Sequence, residues 1–387
     1  MDDPRPSIPS GNGPPDVVVV GAGPWGLATA WLLAERRARV SVVDDGAPSA
    51  AHAAAGMLAP SSEADHGEEA LHRLMTAAAA AWPGFAARLA LVAERPSPYH
   101  PTGTLMVAAR PEHLARVRRQ AELIGRLREP PRWVAGTELR EIEPALGGNV
   151  SGGIALEDEH QADPRALVAA LRVACARLGV EIVADAAVAL VRDDGGRVRG
   201  VELSRGGRRD AGCVVLAAGW AAGRLAPLVP VRPVKGEVLR LRPRPSAPCP
   251  ITRVVRTPDV YIVPRPGGEV VIGATQEESG DRAPTAGAAH DLLADALAAV
   301  PDLREMELAE HLAGLRPATP DGLPAVGCDH QEGLVWAVGG FRHGILLTPI
   351  AAEAAARAAA GEPPPAGWSA FAPVRFGGRT SEAVACA

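Results

Sequence analysis

The chain has 387 residues, 47% of them hydrophobic, with 45 acidic residues against 40 Lys and Arg and a net charge of −5. That length and apolar content support one large domain or two intertwined ones around a substantial core. The near-neutral charge, without a basic block or an aromatic-interleaved basic stripe, argues against a nucleic acid partner and for small molecules. No window approaches about 20 uncharged apolar residues, so the sequence reads as lacking a membrane-spanning helix and a membrane partner.

Residues 1–15 are rich in Asp, Pro and Gly and lack an apolar stretch. They read as a disordered leader and not a secretion signal, which makes a cytoplasmic location the default. A strand over 16–20, a glycine turn, a helix from about Leu27 to Glu35 and a second strand over 40–43 make a βαβ opening, so the chain starts as an α/β protein. Helical spacing returns over 164–178, and strands follow over 180–184, 188–192 and 213–217. From Val231 to Thr275 short alternating or apolar runs are separated by Pro and Gly, which reads as an antiparallel sheet. The organisation expected is a discontinuous nucleotide domain (16–95, 151–225 and 315–362) with an inserted antiparallel-sheet substrate domain (96–150 and 226–314). Residues 363–387, rich in Pro, Ala and Gly at their start, read as a loose tail. Cys175, Cys213, Cys249, Cys328 and Cys386 form no CxxC pair or Cys/His cluster, so they read as free thiols with no metal site.

Gly21-Ala22-Gly23-Pro24-Trp25-Gly26 is a G-x-G-x-x-G that follows a strand and opens a helix, the context that gives the motif meaning. Gly21 makes the tight turn, Gly23 lets backbone approach a pyrophosphate, and Gly26 lets helix and sheet pack closely. Asp44 ends the second strand where it can accept hydrogen bonds from a ribose. The fingerprint does not separate FAD from NAD. The small residues from Ser49 to Pro60 would let backbone lie against a large flat ligand, though a flexible Ala-rich loop reads the same way.

Several segments, in order and with suitable spacing, closely resemble glycine oxidase of the thiamine pathway, in the D-amino acid oxidase group. They are Gly21 to Gly26, His52 to Pro60, Val214 to Trp220, Arg232 to Glu237, Val260 to Arg265, Val271 to Thr275, Ala313 to Pro317 and Arg342 to Pro349. The resemblance runs from about Asp16 to Gly361. It implies a D-amino acid oxidase-like fold with a Rossmann-like FAD domain and non-covalent FAD. It also implies oxidation of glycine to the imine, which supplies thiazole synthesis or hydrolyses to glyoxylate and ammonia while O2 becomes hydrogen peroxide. A homotetramer or another homo-oligomer is implied as well.

By motif position the resemblance places FAD contacts on Pro24 and Trp25, Asp44 and Asp45, Ala50 and Ala51, Ala55, Gly56 and Met57, and Val188. It adds the loop of Gly340, Phe341, Arg342, His343, Gly344, Ile345 and Leu346. It assigns Arg316 to the substrate carboxylate, Arg342 as a second active-site arginine, and Tyr261 as a donor to the same carboxylate. A bidentate guanidinium suits a small zwitterion, and hydride transfer from a neutral amine needs positioning more than a general base. Lys235, the only lysine in the chain, could place positive charge near reduced flavin or simply sit at a strand end. Gly340 and His343 depart from the family's His-aromatic-Arg-Asn order, and Gln276 and Asp259 stand at expected pocket borders. These departures leave a secondary amine such as sarcosine, or another small amino acid, as the alternative substrate. A flavin monooxygenase, a dehydrogenase serving a membrane carrier and a non-catalytic nucleotide-binding module are the rival classes.

Overall fold

The computed structural model describes residues 15–377. Its first sheet has six strands in the order Ala325–Cys328, Leu334–Val338, Cys213–Leu216, Val17–Val20, Val40–Asp44 and Glu181–Ala184. All neighbours are parallel except the first pair. Because both faces of such a sheet are covered, its central strand can be apolar throughout: Val17 to Val20 are each at most 4% exposed. Val17 and Val19 enter a core with helices Pro24–Glu35, Glu69–Ala93, Pro164–Arg177 and Gly344–Ala359. Val18 and Val20 enter a second core beneath the three-stranded antiparallel sheet of Ala187–Arg192, Val198–Leu203 and Arg208–Asp210.

The second sheet has eight strands, ordered Glu307–Ala318, Arg232–Arg242, Val270–Gly273, Tyr261–Pro264, Val254–Arg256, Thr104–Ala108, Gly152–Leu156 and Trp133–Ala135. Its pairs are antiparallel apart from Val254–Arg256 beside Thr104–Ala108. Alternation decides what each face carries. Leu239, Leu241, Ile262 and Ile272 pack under helix Ala286–Ala299, whereas Val238, Val263 and Val271 face Ala53 and Ala55.

Several expectations are corrected. Gly152–Leu156, expected with the first sheet's segments, belongs to the second sheet, and strand Glu307–Ala318 runs past the expected boundary at 314. The segment 363–377 is docked: Trp368 and Phe371 are buried in the first core, and Arg375 pairs with Asp321 at 2.8 Å. Apolar anchors spaced only three apart are easily overlooked in a Pro-rich run. Cys328 is disulfide-bonded, while Cys175, Cys213 and Cys249 are free. The reading of Cys386, like the leader over 1–14 and the tail beyond 377, lies outside the described residues.

Helix Glu69–Ala93 is long and apolar enough by length and composition to cross a membrane, against the sequence expectation. Its alanine run carries it over that threshold. The helix nevertheless buries Leu71, Met75, Ala78, Trp82, Phe85 and Leu89 in the first core, and Trp82 Nε1 donates to Leu346 O at 2.9 Å. It is packed as a core helix.

Candidate active site

A cavity of about 820 Å³ lies between the two sheets. One end is lined by the glycine turn (Gly21, Gly23, Pro24, Trp25), by Asp44 and Asp45, and by Val188, which is half-exposed there. The turn has no room for side chains. A Cβ on Gly21 would lie 2.5 Å from Ala217 O, and one on Gly26 would lie 1.9 Å from Gly21 O. Gly21 also has φ +105°, a conformation that glycine alone adopts freely. Asp44 braces the turn by accepting from the N–H of Ala22 at 2.7 Å and of Gly46 at 3.0 Å, and lone pairs remain for a hydroxyl. Helix Pro24–Glu35 begins without a side-chain cap, so its first N–H groups are available to an anion. Helix Gly344–Ala359 likewise starts uncapped, with Gly344 and Ile345 on the cavity wall. A glycine cradle, an acid at the second strand end and two open helix N-termini are the donor set that a dinucleotide such as FAD requires.

The middle of the wall is the loop Ala50–Met57. Its backbone is clamped from below by Arg265, which is 6% exposed. Arg265 Nη2 donates to Ala55 O at 2.5 Å, and Nη1 donates to the Gln161 side chain and, at 3.5 Å, to Ala162 O. Gly56, with φ +74°, donates no side chain to the cavity: a Cβ would lie 2.0 Å from Ala162 O. Burial lowers the Arg265 pKa to about 10, so the guanidinium stays charged at neutral pH.

At the other end Tyr261 and Arg316 come together. Arg316 Nη1 donates to Lys235 O at 3.2 Å and to Thr275 O at 3.1 Å, and among the described residues it has no carboxylate partner. Its guanidinium lies flat over Gly236. Burial pushes the Tyr261 hydroxyl up, against the nearby Arg316 charge, so it remains a neutral donor. Two neighbouring arginines are paired with acids. Arg256 Nη1 meets Glu63 Oε1 at 2.7 Å, and Arg342 Nη2 meets Asp65 Oδ2 at 2.8 Å. Burial alone would raise the Glu63 carboxyl, but Arg256, His343 and Arg342 hold it well below the usual carboxylate range.

Of the residues named from the sequence, Tyr261, Arg316, Arg342, Ala50, Ala51, Ala55, Gly56, Met57, Gly340, Phe341, Gly344 and Ile345 line this cavity, as do the turn residues apart from Gly26. Gly26, His343 and Leu346 do not. Gly26 is spent on helix packing, His343 is buried beside Glu63 at 3.5 Å, and Leu346 is 1% exposed in the first core. Gln276 and Asp259 border the cavity. Lys235 does not: the pleat turns it to the opposite face, where Nζ meets Glu237 at 3.0 Å and Glu277 at 3.3 Å. The Glu237 hydrogen bond raises the Lys235 pKa despite burial. Strand alternation from Gly236 carried that signal in the sequence. Glu63, Asp65 and Arg256 were missed, because Ser61-Ser62-Glu63-Ala64-Asp65 reads as a solvated turn.

With this geometry in hand, the class is clear: residues 16–358 match the FAD dependent oxidoreductase family, and the chain belongs to it. The bifunctional protein ThiO/ThiG of Trichormus variabilis is 36% identical over 340 residues, which are 87% of this chain and 51% of that protein. The chain therefore spans about half the length of that relative. Glycine oxidase of Geobacillus kaustophilus is 34% identical over 348 residues, covering 87% of this chain and 90% of that one. The crystal structure of glycine oxidase from Geobacillus kaustophilus superposes with a TM-score of 0.85 and 30% identity over 93% of this chain and 98% of that one. That of iminodiacetate oxidase from Chelativorans has a TM-score of 0.83 and 26% identity over 92% and 99%.

Proposed function

We propose that this FAD-dependent oxidoreductase oxidises the amine of glycine, or of an equally small monocarboxylic amino acid, to the imine and passes the electrons to O2. The observation that carries the reading is the contrast among the arginines. Arg316, beside the neutral Tyr261 hydroxyl, has no acid partner, whereas Arg256 and Arg342 each hold one. The site thus offers, beside Tyr261, a cation that has no acid partner among the described residues and suits one carboxylate.

Non-covalently bound FAD would take a hydride from the substrate Cα and return two electrons to O2 as hydrogen peroxide. It would be held by the glycine turn, Asp44, the Ala50–Met57 loop and the Gly340–Ile345 loop. Arg316 and Tyr261 hold the carboxylate and thereby orient the Cα–H, which supplies the positioning on which such catalysis depends. The substrate ammonium must lose a proton first, and no described side chain at this end is placed as an obvious base. Activity therefore rises with pH from neutral to alkaline, and a flat profile would contradict this. Hydrolysis of the imine gives glyoxylate and ammonia; delivery of the imine to thiazole synthesis belongs to the same reading, as does assembly into a homo-oligomer.

The test is spectroscopic. Anaerobic glycine should bleach the flavin band of the purified protein, and air should restore it with release of peroxide. A yellow protein that glycine leaves unbleached moves the substrate to sarcosine, D-alanine or larger amines, and a colourless protein that cannot be reconstituted with FAD refutes the proposal.

A further inference from the structure

Asp259 lines the cavity, yet its carboxylate is held by His113 and Arg116, which lie outside it. His113 Nε2 lies 2.7 Å from Asp259 Oδ2, Arg116 Nη1 donates to Oδ1 at 2.5 Å, and Arg116 Nη2 donates to Pro258 O at 2.9 Å. One turn further along the same helix, His113–Leu127, Gln120 Nε2 donates to Ser61 O at 3.1 Å and Ala64 O at 3.0 Å. Those two carbonyls flank Glu63, another cavity residue. His113, Arg116 and Gln120 stand at i, i+3 and i+7, which puts them on one face of the helix. The adjoining face, through Val117 and Ile124, packs on Met106, Ala108, Ile154 and Leu156 of the second sheet.

A helix seated on the sheet therefore grips both loops that border the substrate end, 61–64 and 257–259, without itself lining the cavity. We propose that the His113–Arg116–Gln120 stripe is a specificity-determining element: it fixes the separation of these loops and so the size of amine that the cavity admits. The proposal rests on the amino acid oxidase reading above. The residues act through Asp259, Pro258 and the backbone around Glu63, so they are positioning residues and touch no substrate. The direct Arg256–Glu63 pair also ties the two loops together, and the variants decide whether it suffices alone.

The experiment uses FAD-loaded full-length protein and a graded series of glycine, N-methylglycine, N-ethylglycine and D-2-aminobutyrate. Arg116 is about half exposed and the hydrogen bonds of the Gln120 side chain go to backbone, so R116A, Q120A and the double variant should fold; R116K keeps the charge without the two-pronged geometry. One added methylene in a fitted pocket is worth about 10- to 200-fold in selectivity. The double variant should shift kcat/KM for the larger amines relative to glycine by about tenfold. It should do so with a raised KM for glycine, kcat nearly unchanged and an unaltered flavin spectrum, and R116K should fall between. If the wild type turns over and all variants keep its selectivity, the proposal is overturned and Arg256–Glu63 holds the loops. If none of these amines bleaches even the wild-type flavin, the oxidase reading fails and takes this proposal with it.

Discussion

Gly236→Ala tests the substrate end with one methyl group. Gly236 is on the cavity wall, and a Cβ there would stand 2.2 Å from Arg316 Nη1 and 2.4 Å from its Cζ. Ordinary contact begins near 3.4 Å, so the guanidinium must retreat by about 1.2 Å. The backbone need not move, because the clash is with the end of a flexible side chain, and the fold should survive. The displaced guanidinium loses its bonds to Lys235 O and Thr275 O and its register with Tyr261. A misplacement of about 1 Å costs on the order of 100-fold in rate, or about 2.7 kcal/mol of transition-state stabilisation. The assay is kcat/KM for glycine by peroxide release, with flavin content and thermal melting as controls. The variant should lose about 100-fold while melting close to the wild type. A variant within threefold of wild type, in a background where Arg316→Met is nearly inactive, would show that Arg316 does not work from the position described.

Three further outcomes follow from the charges around the cavity. Glu63→Gln unpairs Arg256 and should cost about 3 kcal/mol at neutral pH. The folded-state pKa of Glu63 is depressed, so its stabilisation is present above its ordinary value of 4.5 and is lost as pH falls below it. The melting difference from wild type should therefore narrow in acid, and a constant difference would refute the pairing. Arg265→Met strips the clamp from Ala55 O, Ala162 O and Gln161; the protein should purify with less FAD and bind added FAD more weakly, as read by flavin fluorescence. Lys235→Met should leave the rate of flavin reoxidation by O2 within twofold of wild type, since Lys235 does not line the cavity and its Nζ is held by Glu237 and Glu277. A large drop would contradict the strand parity.

The first sheet was legible because its signals are local. The strand Val17–Val20, the glycine turn and Asp44 lie within one short stretch, and each choice of residue answers a steric or hydrogen-bonding demand made by its neighbours. The second sheet was readable as antiparallel strands, but the strand order was not. Gly152–Leu156 carries nothing that says it pairs with Thr104–Ala108 across helix His113–Leu127. Its small residues suit close backbone approach, since a Cβ on Gly153 would lie 2.2 Å from Met106 O, and small residues read equally well as a loop.

The site divides along a similar line. Arg316 and Tyr261 stand in motifs whose Gly and Pro neighbours mark special backbone, and the structure brings them together. What tells Arg316 apart from Arg256 and Arg342 is not its own motif but the acids that the latter two acquire, Glu63 and Asp65, from a polar turn nearly 200 or more residues away in the chain. In a chain so rich in arginine, a residue's charge says little until its partner is known. The proposed chemistry thus rests on subtraction: acids pair Arg256 and Arg342, the pleat turns Lys235 away, and Arg316 is left beside Tyr261 to meet a carboxylate. If that subtraction is right, Glu63→Gln should do more than lower stability. It should leave Arg256 uncompensated beside the substrate and improve competitive inhibition by dicarboxylates such as malonate relative to acetate, by about tenfold for one charge-assisted hydrogen bond gained. An unchanged ratio would mean that Arg256 is not accessible from the cavity and that the acids, however close, do not set the charge the substrate meets.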